Sequence, residues 1–174
     1  LLGLVGSEMC IRDRYIAYET VHNLKCWEDF PDTLPKLKKK LIVCSFTILS
    51  YRIIIDTARK NSLDWDAVFS CEGIKKYKLL PEAYNAVSQH LQLKPEECMM
   101  VACHNFDLDA AKRVGFKTAF VKRPDEWGKQ GPPDPTPNPH HDLIAEDFPD
   151  LLVKIEQFVS VSYTHLTLPT IREV

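Results

Sequence analysis

The chain has 174 residues, 45% of them hydrophobic and 26% charged, the balance of a soluble globular domain with a real core. A formal net charge of −2 gives no electrostatic reason to bind nucleic acid or an anionic membrane surface. No apolar run approaches the roughly eighteen residues of a membrane span.

Six cysteines (Cys10, Cys26, Cys44, Cys71, Cys98, Cys103) include no C-x-x-C pair, so a structural zinc site has little support. Several sit in or beside apolar runs, where a reduced thiol packs as a small hydrophobe. A reducing, cytoplasmic setting is therefore expected.

Residues 1–14, LLGLVGSEMCIRDR, show neither a helical nor a strand period, and Leu1–Val5 is too short for a signal-peptide core. Residues 160–174, SVSYTHLTLPTIREV, are equally patternless. Both ends resemble strings made when sequencing-adapter DNA is translated. Residues 1–14 and 159–174 are expected to be non-native and are assigned no function.

Between them, strands alternate with helices. LIVCSFT (Leu41–Thr47) is an apolar, β-branched run suited to a strand buried on both faces. Ser50 can cap a following helix with Ile54, Ile55 and Ala58 inward and Asn61 at its end. Ala67–Ser70 is a second strand, and Pro81 opens a helix in which Tyr84, Val87 and Leu91 share a face. Met99–Cys103 is a third strand; a helix begins near Asp107 and ends before Gly115. Lys117–Val121 is a fourth strand, and the Pro-rich GPPDPTPNPHH that follows forbids regular structure. Leu143–Ala145 is a short last strand and Phe148–Phe158 a last helix.

This order predicts an α/β domain with a doubly wound parallel sheet. Ligands in such sheets bind beyond the carboxyl ends of strands, at Thr47, near Tyr77–Lys78 and from His104 to Asp107. The KLKKK run at Lys36–Lys40 has no accompanying aromatic platform and fits a solvated helix face. No G-x-G-x-x-G or P-loop string supports nucleotide binding.

Three strings carry a family resemblance: YKLLPEAY (Tyr77–Tyr84), MMVACHNFDLDAAKRVGFKTAFVKRPDEWG (Met99–Gly128) and DPTPNPHHDLIAEDF (Asp134–Phe148). With them, the stretch from about Trp27 to Phe158 resembles the type II, or (S)-2-haloacid, dehalogenases of the haloacid dehalogenase superfamily. The resemblance implies a Rossmann-like core at 39–158, with the end of a helical cap and the return to the core at 15–38. It also implies hydrolysis of a carbon–halogen bond in a small 2-haloalkanoic acid. A nucleophilic aspartate in a D-x-x-G-T-like string expels halide and leaves an ester that water opens. No such string occurs here, and Asp29 and Asp32, in a Pro-containing loop, are poor substitutes. The chain is thus expected to lack the nucleophile, the central strand that carries it and most of the cap. Two neighbouring strands would be left without a partner, and the chain alone is expected to be poorly soluble or partly molten.

The resemblance implies catalytic roles for Lys78, Asp107 and Thr47. Lys78 would lower the pKa of the nucleophilic carboxylate, and Asp107 would pair with Lys78 and help position water. Thr47 would hydrogen-bond the nucleophile or the substrate carboxylate, although Ile48 and Leu49 replace the usual Asn and Gly after it. Taken alone, Thr47 is a strand-end hydroxyl, Lys78 a solvated cation and Asp107 a favourable first-turn acid. His104, Asn105 and Phe106 would face the substrate. No cofactor, metal, nucleic acid or membrane is implied, and the full-length protein is allowed a homodimer.

Two alternatives remain. One is a non-catalytic remnant or binding protein on the same fold, supported by the missing nucleophile. The other is a phosphatase of the same superfamily, which would need Mg²⁺. At the positions of its second acid stand Ala102 and Cys103, neither a hard oxygen ligand.

Overall fold

The computed structural model describes residues 16, 18–132 and 135–164. The ends expected to be non-native lie outside the described residues, apart from 159–164. Contacts divide the chain into two compact units, Leu1–Val87 and Ser88–Val174.

In the first unit, residues 18–22 are helical. Helix α1 (Leu34–Lys38) carries Pro35 in its first turn, where no N–H is needed, and buries Leu34 and Leu37. Of the KLKKK run, Lys38 is engaged with Asp64 at 2.7 Å and Asp66 at 3.1 Å.

Strand β1 (Cys44–Thr47) pairs in parallel with β2 (Ala67–Ser70), Cys44 opposite Ala67 and Thr47 opposite Ser70. It starts three residues later than the apolar run suggests, and all four of its residues are half-buried rather than buried on both faces. Its one described neighbour is β2, and an edge strand leaves side chains and backbone partly open.

Helix α2 (Tyr51–Lys60) begins at Ser50, whose Oγ accepts the Ile53 N–H at 3.4 Å, and ends at Asn61. Ile54 is buried as expected, but Ile55 is 44% exposed. One residue advances the helix by about 100°, which carries Ile55 off the face that Ile54 buries. Asn61 also holds the incoming chain: its Nδ2 donates to the Leu24 carbonyl and its Oδ1 accepts from the Cys26 N–H, both at 2.9 Å. A single turn, α3 (Cys71–Ile74), follows β2 directly, with Ser70 accepting the Glu72 N–H. Helix α4 (Pro81–His90) opens at Pro81 and buries Ala83, Tyr84, Val87 and Ser88. Leu91 lies past its end and is half-buried.

The second unit holds β3 (Met99–Ala102), α5 (Asn105–Arg113), β4 (Lys117–Val121), β5 (Leu143–Ala145) and α6 (Phe148–Thr164). The three strands are parallel, in the order β3-β4-β5. Gly115, at φ 101°, makes the left-handed turn after α5, and a Cβ there would come within 3.3 Å of Pro95. Strand β4 has a neighbour on each side and is nearly sealed: Thr118, Ala119, Phe120 and Val121 are each at most 2% exposed. Helix α5 starts two residues before Asp107, with His104 in the capping position. Helix α6 runs on to Thr164, beyond the expected end at Phe158.

The α/β class and parallel pairing are thus as the sequence predicts. The described strands form two sheets, of two and three strands, in which β1 and β3 each have one described neighbour.

Candidate active site

Parallel strands point their carboxyl ends the same way, and the loops there carry the chemistry of such domains. In the first unit, β1 delivers Thr47 and the segment before α4 delivers Lys78. The half-buried Thr47 accepts the Leu49 N–H on its Oγ1 at 3.1 Å, a local turn in which the hydroxyl serves the backbone. Leu49 is fixed further by Ser70, whose Oγ donates to its carbonyl at 2.5 Å. Ile48, beside Thr47, is 59% exposed.

Lys78 is held by its surroundings. Its Nζ sits 4.8 Å from the centre of the Phe46 ring, a cation–π distance. Phe46 meets Tyr84 edge to face at 5.4 Å, and Tyr84 is fully buried. The Tyr84 hydroxyl accepts the N–H of Leu79 at 3.2 Å. Leu79 itself has φ 75°, a left-handed conformation costing a non-glycine residue about 1–2 kcal/mol. The strained residue beside Lys78 is therefore tied to a core tyrosine, and the lysine ammonium sits over an aromatic ring.

In the second unit, β3 ends at Ala102 and the chain turns through Cys103 and His104 into α5. This brings His104, Asn105, Phe106 and Asp107 to one strand end. Asp107 is 7% exposed in the first helical turn, where the helix dipole favours a carboxylate. The His104 ring stacks on Phe106 at 5.1 Å, and Phe106 is 52% exposed. His104 Nε2 also lies 3.2 Å from a Glu126 carboxylate oxygen, and Cys103 Sγ donates to the same oxygen at 3.3 Å. Burial and then the Glu126 carboxylate push the Cys103 thiol up to about 12.

Asn105 faces the Pro-rich loop. Its Oδ1 accepts from the Asn138 N–H at 2.8 Å and from His141 Nε2 at 2.9 Å, and its Nδ2 donates to the Thr136 carbonyl at 2.8 Å. Around it a network continues. Asp109 accepts from Asn138 Nδ2 at 3.1 Å and meets His140 Nε2 at 2.7 Å. Asp142 accepts from the Thr118 N–H at 2.9 Å, and from its hydroxyl and Lys112 Nζ, each at 3.1 Å. Burial would raise both carboxyls, but these donors outweigh it and hold Asp109 and Asp142 below the ordinary carboxylate value. Burial, then the neighbouring His140, depresses His141.

The haloacid dehalogenase-like hydrolase family model matches residues 5–115. The chain belongs to this family. It is 27% identical over 128 residues to an (S)-2-haloacid dehalogenase of Xanthobacter autotrophicus, covering 70% of this chain and 47% of that protein. To (S)-2-haloacid dehalogenase 4A of Burkholderia cepacia it is 29% identical over 117 residues, covering 65% of this chain and 49% of the relative. The chain thus spans about half the length of these relatives. Among solved structures it is similar to an L-2-haloacid dehalogenase, with TM-score 0.77 and 33% identity over 79% of this chain and 59% of the other. A defluorinating L-2-haloacid dehalogenase gives TM-score 0.75 and 33% identity over 78% and 56%.

Of the expected site residues, Thr47 and Lys78 belong to the first unit and His104 through Asp107 to the second. Sequence reading missed Glu126, Asn138, His141 and Asp142. For the last three the signal was present in the polar residues interleaved with prolines in TPNPHHD, which side-chain hydrogen bonds tie to Asn105, Asp109 and Thr118.

Proposed function

We propose that this chain is the later part of a hydrolase that cleaves the carbon–halogen bond of small 2-haloalkanoic acids through an aspartyl-ester intermediate. The nucleophilic aspartate comes from a preceding strand that the chain lacks. Lys78 steadies and acidifies that carboxylate, Asp107 pairs with Lys78 and positions the water that opens the ester, and Thr47 contacts the nucleophile or substrate carboxylate. His104, Asn105 and Phe106 surround the substrate, Asn105 by anchoring the Pro-rich loop. The reaction needs no cofactor or metal. The full-length protein works in the cytoplasm, and a homodimer is compatible with it.

The observation that carries this reading is Asp107, buried in the first turn of the helix that follows a parallel strand, within the string that matches the dehalogenases. Each described sheet ends in edge strands, which is compatible with a further strand beside one of them. Among the described residues no helix is long and apolar enough to cross a membrane.

A non-catalytic role on the same fold is the second reading. It is favoured by the Thr47 hydroxyl serving its own turn and by Ile48 exposed where an oriented polar donor would be wanted. A phosphatase is less well supported, because Ala102 and Cys103 offer no hard ligand for Mg²⁺.

The test begins with a long read of the source gene across the codons for residues 1–30. An upstream strand ending in D-x-x-G-T is expected, and the protein encoded with it should release halide from 2-chloropropionate. Lys78→Ala and Asp107→Asn should each lower that rate by about a hundredfold or more. A reading frame in which residues 1–14 directly follow a native start would favour the non-catalytic reading, and a full-length protein that releases no halide would overturn the dehalogenase reading.

A further inference from the structure

We infer that Cys103, His104 and Glu126 form a binding site for a borderline divalent cation, Zn²⁺ by preference. The three side chains come from two segments, the turn after β3 and the loop after β4. Their ligand atoms all lie within 4.8 Å of one another. Sγ to Glu126 Oε2 is 3.3 Å and His104 Nε2 to the same oxygen is 3.2 Å. Zinc bonds of about 2.0–2.3 Å at tetrahedral angles separate neighbouring ligands by about 3.3–3.7 Å, so two edges of the triangle already approach the required size. One ion placed against this face replaces two hydrogen bonds with three metal bonds and leaves a fourth position to solvent.

The donor set selects the metal. A thiolate, an imidazole and a carboxylate suit Zn²⁺ or Co²⁺ and disfavour Mg²⁺ and Ca²⁺, which take oxygen ligands. The residue that argues against Mg²⁺ at this strand end, Cys103, is therefore the one that recruits a softer ion. Charge balances as well, since a thiolate and a carboxylate neutralise the dication. On binding, the Sγ–H bond breaks, its proton leaves to solvent and the Sγ–metal bond forms; no electron is transferred.

A second cluster, Asp109, His140 and His141, also brings three ligand atoms together. It is the weaker candidate. His141 Nε2 is engaged by Asn105 at 2.9 Å and its Nδ1 lies 3.3 Å from the Thr118 hydroxyl, so both ring nitrogens are in use.

The experiment titrates the full chain, reduced and metal-free, with CoCl₂ and reads the near-ultraviolet thiolate-to-cobalt charge-transfer band. Zn²⁺ is then added in competition. The expected result is one Co²⁺ per chain with a thiolate band that Zn²⁺ removes. Cys103→Ser abolishes the band, while His104→Asn and Glu126→Gln each weaken affinity about tenfold or more. His140→Ala leaves band and affinity unchanged. Circular dichroism shows whether each variant keeps the parent fold. The inference is overturned by the absence of a thiolate band, by a band that survives Cys103→Ser, or by binding that His140→Ala removes. If Cys103→Ser loses the parent fold, His104→Asn and Glu126→Gln decide: unchanged affinity in both sinks the site.

Discussion

Strands β1 and β4 are similar in sequence and different in surroundings. CSFT and KTAFV both mix apolar and β-branched residues, and each runs parallel to its partners. Yet Phe120 in β4 is 2% exposed, whereas every residue of β1, Phe46 included, is half-buried. The difference lies in the neighbours: β4 is flanked by β3 and β5, while β2 is the one described partner of β1. Burial is thus conferred by what a strand is paired with, and an apolar run states only that it can be buried.

The sharpest way to break this comparison is to truncate matching phenylalanines. Phe120→Ala should cost about 3–5 kcal/mol, as for a sealed aromatic, and Phe46→Ala distinctly less, both read from urea unfolding of the full-length protein. Equal losses would mean that β1 is as well packed as β4. A smaller effect is expected at the loop that closes over the second unit. Asn105→Ala removes the acceptor of the Asn138 N–H and of His141 Nε2, and should destabilise by about 1–3 kcal/mol; amide exchange should quicken at Asn138 while β2 is unaffected.

Acidity sharpens the same contrast. His141 binds its proton less readily when folded, so its contribution is complete above its ordinary value of 6.5 and is lost as pH falls below that. Asp142 and Asp109, both depressed, contribute above 3.8 and lose that contribution as pH falls through their folded values. Melting temperatures followed from neutral to acid pH should fall in these two windows, and Asp142→Asn should flatten the lower one; an unaltered lower limb would refute the assignment. The smallest effect is at the cap of α2, where Ser50→Ala should cost about 0.5–1 kcal/mol in the same unfolding assay.

Much of this architecture was legible in the sequence because its signals are local. Ala67–Ser70, Lys117–Val121 and Leu143–Ala145 are strands over the expected bounds, and Ser50, Asn61, Pro81 and Gly115 stand at the helix and turn boundaries their chemistry favours. Ile55 was misplaced because an isoleucine run says little about which face a helix buries. Leu41–Val43 stayed outside β1 although the run is apolar throughout; Val43 instead donates its N–H to the Asp66 side chain at 2.8 Å. In the site, the strand-end positions of Thr47, His104 and Asp107 followed from the alternation of elements. The roles of Glu126, Asn138 and Asp142 did not, because each is defined by a partner more than twenty residues away.

The left-handed Leu79 governs which residues the chain could accept beside Lys78 over evolutionary time. Glycine or asparagine would relieve the backbone there, whereas valine or isoleucine, whose branched Cβ makes positive φ most costly, would turn the peptide over and carry Lys78 away from the Phe46 ring. The allowed alphabet at position 79 is therefore narrow, for a reason that lies in the dihedral angle of one residue and not in anything its side chain touches.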